Sequence, residues 1–341
     1  MKLRLAFAGL GNVARELARI LEERRLELGR RSIELTTTAI ATANHGCVTC
    51  DRGIELIDAA RLVERGGSLS ELPGVVSHSE PFQLIERCNA DVLFETSPLN
   101  ATDGEPAISY IRGALARRMH VVTANKGPVA FAHKELRALA SRFGVVFRFE
   151  SAVMDGAPVF NLVDDCLPGV EVIGFEGILN STTNLILSSM ESGLDFGEAL
   201  EKAQQLGVAE ANPDFDIDGL DATMKTVALA NVLMGSNLKP ADVSTTGIRG
   251  INSAQLADAH REGFAIRLIA RSTRTAGGVE ALVAPERVGL NTLFGTATGT
   301  SNVLLLQTDL MGELALFEKD PGLRQTAYGL FSDLLRIAAS C

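Results

Sequence analysis

The opening residues constrain the fold most. Lys2 to Ala8 is an apolar run that reads as a buried strand. It leads directly into Gly9-Leu10-Gly11-Asn12-Val13-Ala14, and a helical pattern follows through about Arg24. Strand, G-x-G-x-x-(G/A), helix is the opening unit of a dinucleotide-binding sheet. The two glycines permit a tight turn and close approach of a diphosphate to the backbone. Ala14, in place of a third glycine, still lets the helix pack close on the strand. Free N–H groups at the helix start attract phosphate. Gly9, Gly11, Asn12 and Val13 are therefore candidate cofactor contacts. A glycine turn in some other α/β protein is the alternative.

The alternation continues. Residues 34–42, 90–95, 119–123 and 145–150 read as further strands, with helices over 55–64, 105–118 and 133–143. This pattern predicts an α/β fold with a Rossmann-type doubly wound parallel sheet. Ligands in such sheets sit at the carboxyl ends of the strands. Thr96 and Ser97 follow one strand, and Lys126 follows another within Ala124-Asn125-Lys126-Gly127-Pro128. All three are candidate cofactor contacts, with Lys126 beside the expected nicotinamide pocket; a lysine on a surface loop is the alternative. Strand 34–42 ends in Ala41-Thr42-Ala43-Asn44-His45-Gly46, without the acid that commonly binds the ribose hydroxyls of NAD. NADP is permitted, with Asn44 and His45 as contacts, yet no arginine stands there. The choice between NAD and NADP stays open.

From Ser151 the texture changes. A turn over 153–158 opens a helix at 159–166, and 170–179 reads as a strand. Asn180-Ser181-Thr182-Thr183-Asn184 then caps a helix running to Ser192. Strand-like runs over 265–271, 279–284 and 302–308 predict an antiparallel or mixed sheet in a second, α+β domain, and 325–339 reads as a final helix. The expected division is a dinucleotide-binding domain over 1–149, rejoined by about 310–341, around a substrate-binding and dimerisation domain over 150–309.

Between the helix at 196–206 and Gly235 lies the most charged contrast in the chain. Five carboxylates, Glu210, Asp214, Asp216, Asp218 and Asp221, fall close together, and Pro213 and Gly219 break the stretch so that 210–218 reads as an irregular loop. From Leu220 a helix follows whose only charges are Asp221 and Lys225, one turn apart. It is apolar or small on every side, the pattern of a helix buried all round. A buried charge is costly unless it is paired or has a task. An i,i+4 surface ion pair is the bland reading. The functional one is a site in which carboxylates hold an ammonium group and a lysine donates a proton to a reacting oxygen.

Composition narrows the classes. The 341 residues are 46% hydrophobic and 22% charged, as in an ordinary soluble chain of one large or two modest domains. The net charge of −10 argues against nucleic acid and against anionic membrane surfaces. The sequence has no membrane-length apolar run and no signal-peptide layout at its start, so a cytoplasmic location is expected. Cys47-Val-Thr-Cys50, with His45 nearby, is the only close cysteine pair among five cysteines. A zinc site needs a second pair, so chance spacing is the expected reading.

A longer series of motifs runs through the chain in order. It comprises Gly9-Leu10-Gly11-Asn12-Val13, Val122-Thr123-Ala124-Asn125-Lys126-Gly127-Pro128, Glu150, Gly156-Ala157-Pro158 and Gly177-Ile178-Leu179-Asn180-Ser181-Thr182-Thr183-Asn184. Ala203-Gln204, Gly207, Ala209-Glu210, Pro213, Asp216, Gly219, Asp221 and Lys225 complete it. With this series the chain resembles homoserine dehydrogenase along nearly its whole length.

The resemblance implies NAD(P)-dependent interconversion of L-aspartate 4-semialdehyde and L-homoserine, a step of the aspartate route to threonine and methionine. It implies Lys225 as proton donor to the aldehyde oxygen, assisted by Lys126. Glu210, Asp216 and Asp221 would bind the substrate's amino end and orient the lysine, with Thr182 as a further substrate contact. Gly177 would border the nicotinamide, and the segment at Gly322 would approach the cofactor. Glu150, with backbone oxygens of Val153, Asp155 and Ala157, would match a monovalent cation site for sodium or potassium. A homodimer through the second domain's sheet is implied as well.

The chain departs from the family pattern at Ser181, where the family has glycine, and at Asn212, where it has aspartate. Asp320-Pro321-Gly322 stands for a Gly-Ala-Gly segment. Ser181 is expected to narrow the pocket near the nicotinamide. With the sequence ending at Cys341, no C-terminal regulatory domain is expected. The alternatives are a paralogous oxidoreductase acting on another small amino or hydroxy acid, and a non-catalytic nicotinamide-binding regulator.

Overall fold

Strand β1 (Lys2–Ala8) sits at the middle of a seven-stranded sheet because Leu3, Leu5, Ala6, Phe7 and Ala8 are all buried, which requires cover on both faces. The other strands are β2 (Glu34–Ala41), β3 (Cys47–Ile54), β4 (Val76–His78), β5 (Val92–Glu95), β6 (His120–Thr123) and β7 (Phe147–Arg148), in the order β4-β3-β2-β1-β5-β6-β7. Strands β2, β1, β5, β6 and β7 run parallel, as expected of a doubly wound α/β sheet. The computed structural model describes residues 1–340. Among them no helix is long and apolar enough to cross a membrane.

Two strands depart from the wholly parallel expectation. β3 pairs antiparallel with β2, and β4 antiparallel with β3. The reversal is closed by the Thr42 N–H, which donates to Gly46 O at 3.0 Å, and by the Thr42 hydroxyl, which donates to the same oxygen at 2.9 Å and accepts from His45 N–H at 2.9 Å. Residues 47–54 were not expected as a strand, since Asp51-Arg52-Gly53 breaks the apolar pattern. Cys47 and Cys50 are buried free thiols three residues apart on β3. Side chains at that spacing point to opposite faces of a strand, so the C-x-x-C spacing does not converge on one point.

The chain divides into two compact units. One is Met1–Pro158 with the chain from Gly322 onward; the other is Val159–Pro321. In the first, Phe7 stacks on Phe94 with ring centroids 4.9 Å apart. The final helix, Leu323–Ser340, adds Leu330, Leu334 and Ile337 to the same core. The junctions fall later than 149/150 and 309/310. Glu150 N–H donates to Asp333 Oδ2 at 2.9 Å and Ser151 Oγ to Thr326 O at 2.7 Å, which ties residues 150–158 to the final helix. Residues 312–318, placed by the sequence pattern in the returning segment, are a strand of the second sheet. The helix Lys126–Phe143 also starts earlier than 133. Asn125 caps it and Pro128 falls in its first turn, where a missing N–H costs nothing.

The second unit is built on β8 (Val172–Ile178), β9 (Ser244–Thr245), β10 (Phe264–Thr275), β11 (Gly278–Gly289), β12 (Asn302–Thr308) and β13 (Gly312–Glu318), in the order β13-β12-β8-β10-β11-β9. Every pairing is antiparallel except β11 with β9. β8 is flanked on both sides, and Gly177 stands opposite Ala270 and Leu304.

Close backbone approach in the first unit makes a stability test. A Cβ on Gly156 would lie 2.1 Å from the carbonyl oxygen of Gln325, on the first turn of the final helix. Gly156→Ala is expected to destabilise by about 1–3 kcal/mol, as overpacking does. Urea denaturation of variant and wild type checks this, and coincident curves refute it.

Candidate active site

The glycine turn opens the site of the first unit. Gly9 has φ +102°, and a Cβ there would stand 2.5 Å from Thr96 O, so only glycine fits between β1 and the turn after β5. Thr96 Oγ1 donates back to Gly9 O at 3.0 Å. Gly11 is the N-cap of the helix Asn12–Glu23 and has no side chain to cap its first N–H groups. A Cβ on Gly11 would meet nothing within 4 Å. Open space and uncapped donors at a helix start fit a diphosphate. A cleft of about 190 Å³ lies there, lined by Gly11, Asn12, Val13 and Ala14 with Thr96, Ser97, Asn125 and Lys126. Lys126 is the first residue of its helix. A larger cleft, about 720 Å³, lies at the other ends of β1 and β2 among Leu21, Leu28, Ile33 and Ile57. Its position opposite the strands' carboxyl ends sets it apart from the motif residues.

In the second unit the helix Leu220–Leu233 begins after Gly219, whose φ of +82° makes the sharp entry. Its buried residues run from Asp221 to Asn231 on every face. Lys225 Nζ lies 3.0 Å from Asp221 Oδ2 and donates to Leu179 O at 2.7 Å. The i,i+4 pair therefore exists, but it is not a surface pair: the two side chains are 16% and 9% exposed. Asn180 was read as a cap; it is also the hub. Its Oδ1 accepts Thr183 N–H at 2.8 Å, which orients the amide. Its Nδ2 then donates to Asp216 Oδ1 at 2.7 Å and Asp221 Oδ2 at 2.9 Å, one N–H for each carboxylate.

With this geometry in view, the comparisons decide the family. The family model described as "Homoserine dehydrogenase" matches residues 158–335, and "Homoserine dehydrogenase, NAD binding domain" matches 9–150. The chain is 37% identical to an NAD(+)-dependent homoserine dehydrogenase of Pseudomonas canavaninivorans, over 99% of this chain and 96% of that one. The chain belongs to the homoserine dehydrogenase family. It is 36% identical to homoserine dehydrogenase of Methanocaldococcus jannaschii, over 98% of each. A hyperthermophilic archaeal homoserine dehydrogenase solved in complex with NADPH superposes with a TM-score of 0.84 at 28% identity, over 100% of this chain and 99% of that one. As a family member the chain is an NAD(P)-dependent oxidoreductase.

The remaining residues implied by the homoserine dehydrogenase pattern are dispersed in environment. Thr182 is buried and its Oγ1 donates to Val208 O at 3.1 Å. Gly177 needs to be glycine, since a Cβ would stand 2.8 Å from Val303 O. Glu210 is exposed; its carbonyl accepts from Gln204, and among the described residues no hydrogen bond or ion pair joins its carboxylate to the Asp216 cluster. Asp214 and Asp218 are held instead by Arg249. Gly322 turns into the final helix and does not line the 190 Å³ cleft. Ser181 Oγ donates to Asn302 Oδ1 at 3.3 Å, and Asn212 Oδ1 accepts Asp214 N–H at 3.1 Å. Both departures thus have local partners. Glu150 is buried beside Asp333, and the turn after it carries Asp155 at φ +47°, with Thr326 donating to its carboxylate at 2.8 Å. His45 Nδ1 lies 2.9 Å from Gly67 O.

Burial pushes the Asp216 carboxyl above the usual aspartate range, and the neighbouring Asp221 charge adds to this. Hydrogen bonding by Asn180, the Lys225 charge and Thr182 pull the other way. A raised carboxyl pKa means that the folded state binds the proton more tightly than the unfolded one. That contribution to stability is complete below the unfolded value, about 3.9, and is lost as pH rises through the folded value. Asp216→Asn is therefore expected to unfold at higher temperature than wild type at neutral pH, with the difference closing as pH falls below about 4. Thermal unfolding across pH reads this directly; a difference that stays constant with pH contradicts it.

Proposed function

We propose that this chain interconverts L-aspartate 4-semialdehyde and L-homoserine with Lys225 as the proton donor. The observation that carries the reading is the linked set Asp216, Asn180, Asp221 and Lys225, closed on Leu179 O. Bound nicotinamide supplies the hydride in reduction and accepts it in oxidation. In the reducing direction Lys225 gives a proton to the oxygen that becomes the hydroxyl, and in the oxidising direction takes it back. Asp221 and Leu179 O hold the ammonium in one place, which is what proton transfer demands. Asp216 and Asp221 suit the substrate's ammonium group. A cation arriving there favours the charged carboxylate and reverses the cost that burial imposes on Asp216. Thr182 borders the same carboxylate through its hydroxyl. Glu210 reaches the substrate only if its exposed side chain turns inward, so Asp216 and Asp221 are the principal contacts.

On the first unit, Gly9, Gly11, Asn12, Val13, Thr96, Ser97 and Lys126 form the cofactor contacts of this reading, with Gly322 of that unit and Gly177 of the second as family-implied additions. Either NAD or NADP serves, since the turn after β2 carries neither acid nor arginine. A sodium or potassium ion on Glu150 and the backbone oxygens of Val153, Asp155 and Ala157 belongs to the same proposal. So does a cytoplasmic location.

A homodimer through the second sheet completes the reading. Its support is the exposed apolar side chains of Phe317 on the edge strand β13 and of Leu310 and Met311 in the turn before it. Light scattering is expected to give twice the chain mass, and Phe317→Lys to lower it; a monomeric wild type refutes the dimer.

The deciding experiment supplies L-homoserine with NAD or NADP and follows the reduced nicotinamide. Lys225→Ala is expected to lower kcat by about 10²–10⁴-fold, with cofactor affinity kept. A folded protein that binds cofactor yet turns over homoserine with neither would overturn the reaction.

A further inference from the structure

Glu95 is completely buried at the last position of β5, and no step of the reaction uses it. Its Oε1 accepts the Ser97 N–H at 2.9 Å and also the Ser97 hydroxyl. Its Oε2 accepts the Thr123 hydroxyl at 2.7 Å from the neighbouring strand β6. The bonds then close into a ring. Thr123 Oγ1 accepts Asn125 N–H at 2.9 Å, and Asn125 Nδ2 donates to Ser97 O at 3.3 Å. Asn125 Oδ1 accepts Gly127 N–H at 3.0 Å and so caps the helix that starts at Lys126. The ring joins two turns, Thr96-Ser97 and Ala124-Asn125-Lys126, that form one wall of the 190 Å³ cleft.

We propose that Glu95 is the positioning residue of the cofactor cleft, setting the separation of its two strand-end turns and the place of Lys126. The inference rests on reading that cleft as the dinucleotide site. Only a carboxyl suits the position. Two oxygens must accept three donors from two separate strands, and one of those donors is a main-chain N–H that cannot rotate away. A glutamine offers one accepting oxygen, so either the Ser97 donors or the Thr123 hydroxyl would lose their acceptor. An alanine removes the acceptor from all three donors, and the Thr123 hydroxyl among them is fully buried. Burial holds the Glu95 carboxyl above the usual glutamate range, against the pull of Ser97, Thr123 and Asn125. A buried acid kept under that strain, where a leucine or valine would pack at no such cost, has a task beyond filling the sheet. Sites need their contacts held to within about 0.5 Å, and the ring supplies side-chain anchors that hold both turns in place.

The test compares wild type with Glu95→Ala, Glu95→Gln, Thr123→Val and Gly11→Asp. The readouts are the Kd of reduced cofactor from its fluorescence, the KM and kcat for homoserine, and the thermal midpoint. Glu95→Ala is expected to raise cofactor Kd about 10-fold, the equivalent of the buried hydrogen bonds it removes. Glu95→Gln is expected to recover part of that loss, and Thr123→Val to raise Kd about threefold by cutting the ring at one bond. The KM for homoserine is expected to hold in all three. A purely packing role predicts a lower midpoint with unchanged Kd in the folded fraction, and that result overturns the proposal. If Glu95→Ala does not fold, wild-type Kd in both Glu95→Gln and Thr123→Val overturns it equally. Gly11→Asp separates the two levels of the argument. Asp is a good N-cap at this extended position, and its charge repels a diphosphate. If Gly11→Asp binds cofactor as wild type does, the cleft reading fails. If it loses binding while Glu95→Ala keeps it, the cleft stands and Glu95 has no part in it.

Discussion

One amide holds two carboxylates, and the second unit's chemistry depends on it. Asn180 is fixed first as a helix cap, because its Oδ1 takes the Thr183 N–H. That bond leaves only the N–H₂ side to face Asp216 and Asp221. The cap in turn follows from β8, where Gly177 lets the chain pass close to β12 and deliver Leu179 and Asn180 to the start of the next helix. Leu179 O then receives Lys225. A change in strand register would therefore displace the lysine's acceptor, the cap and both carboxylates together. Helix formation and site geometry are one constraint here, which is why the helix carrying Asp221 and Lys225 tolerates charge in an otherwise buried surface.

The first unit solves its problem with the same device. β6 runs out, Asn125 caps the following helix through Oδ1, and its Nδ2 crosses to Ser97 O on the neighbouring turn. In both units an asparagine at a strand-to-helix junction spends one end of its amide on the helix and the other on a second segment. Asparagine suits this because it accepts at its oxygen and donates from a separate nitrogen on one short, stiff side chain; aspartate would cap the helix but has no donor, and serine must accept and donate at a single oxygen. The lysine of each site lies close to such a junction: Lys126 follows Asn125 directly, and Lys225 meets the carbonyl that precedes Asn180.

Much of this was legible in the sequence where the signal is local. The strand and glycine turn at Lys2 to Ala14, the Asn180 cap and the apolar helix with two charges all follow from spacing and periodicity over a few residues. What was hidden depends on distant partners. β3 was masked because Asp51, Arg52 and Gly53 break its apolar run, and its pairing with β2 rests on the Thr42 hydroxyl turn. β13 was masked because an edge strand is only half-buried, so Leu314 and Leu316 alternate with exposed neighbours. The return to the first unit was accordingly placed near 310, when the turn there is a hairpin closed by Thr308 on Gly312. Glu95 gave no signal of its role: it read as the last residue of the strand over 90–95, and only the parallel pairing of β5 with β6 sets it opposite Thr123. Glu210 shows the converse, a motif residue whose loop leaves it exposed.

Charge counting ties the second unit's arrangement to the kind of ligand it takes. Asp216 and Asp221 bring two negative charges and Lys225 one positive, so the set carries a formal charge of −1. Asn180 satisfies oxygens but adds no charge. Burial first, and the like charge of Asp221 second, push the Asp216 carboxyl toward protonation. Replacing that aspartate with a neutral residue would relieve the repulsion without disturbing the cap. A fold selected for stability alone has no reason to keep it. The arrangement is balanced when one more monovalent cation enters, and an α-ammonium group supplies that charge together with N–H donors for the carboxylate oxygens. On the proposed reading, that repulsion is relieved when the amino end of the substrate binds, and an hydroxy acid of the same length would bring no charge to relieve it.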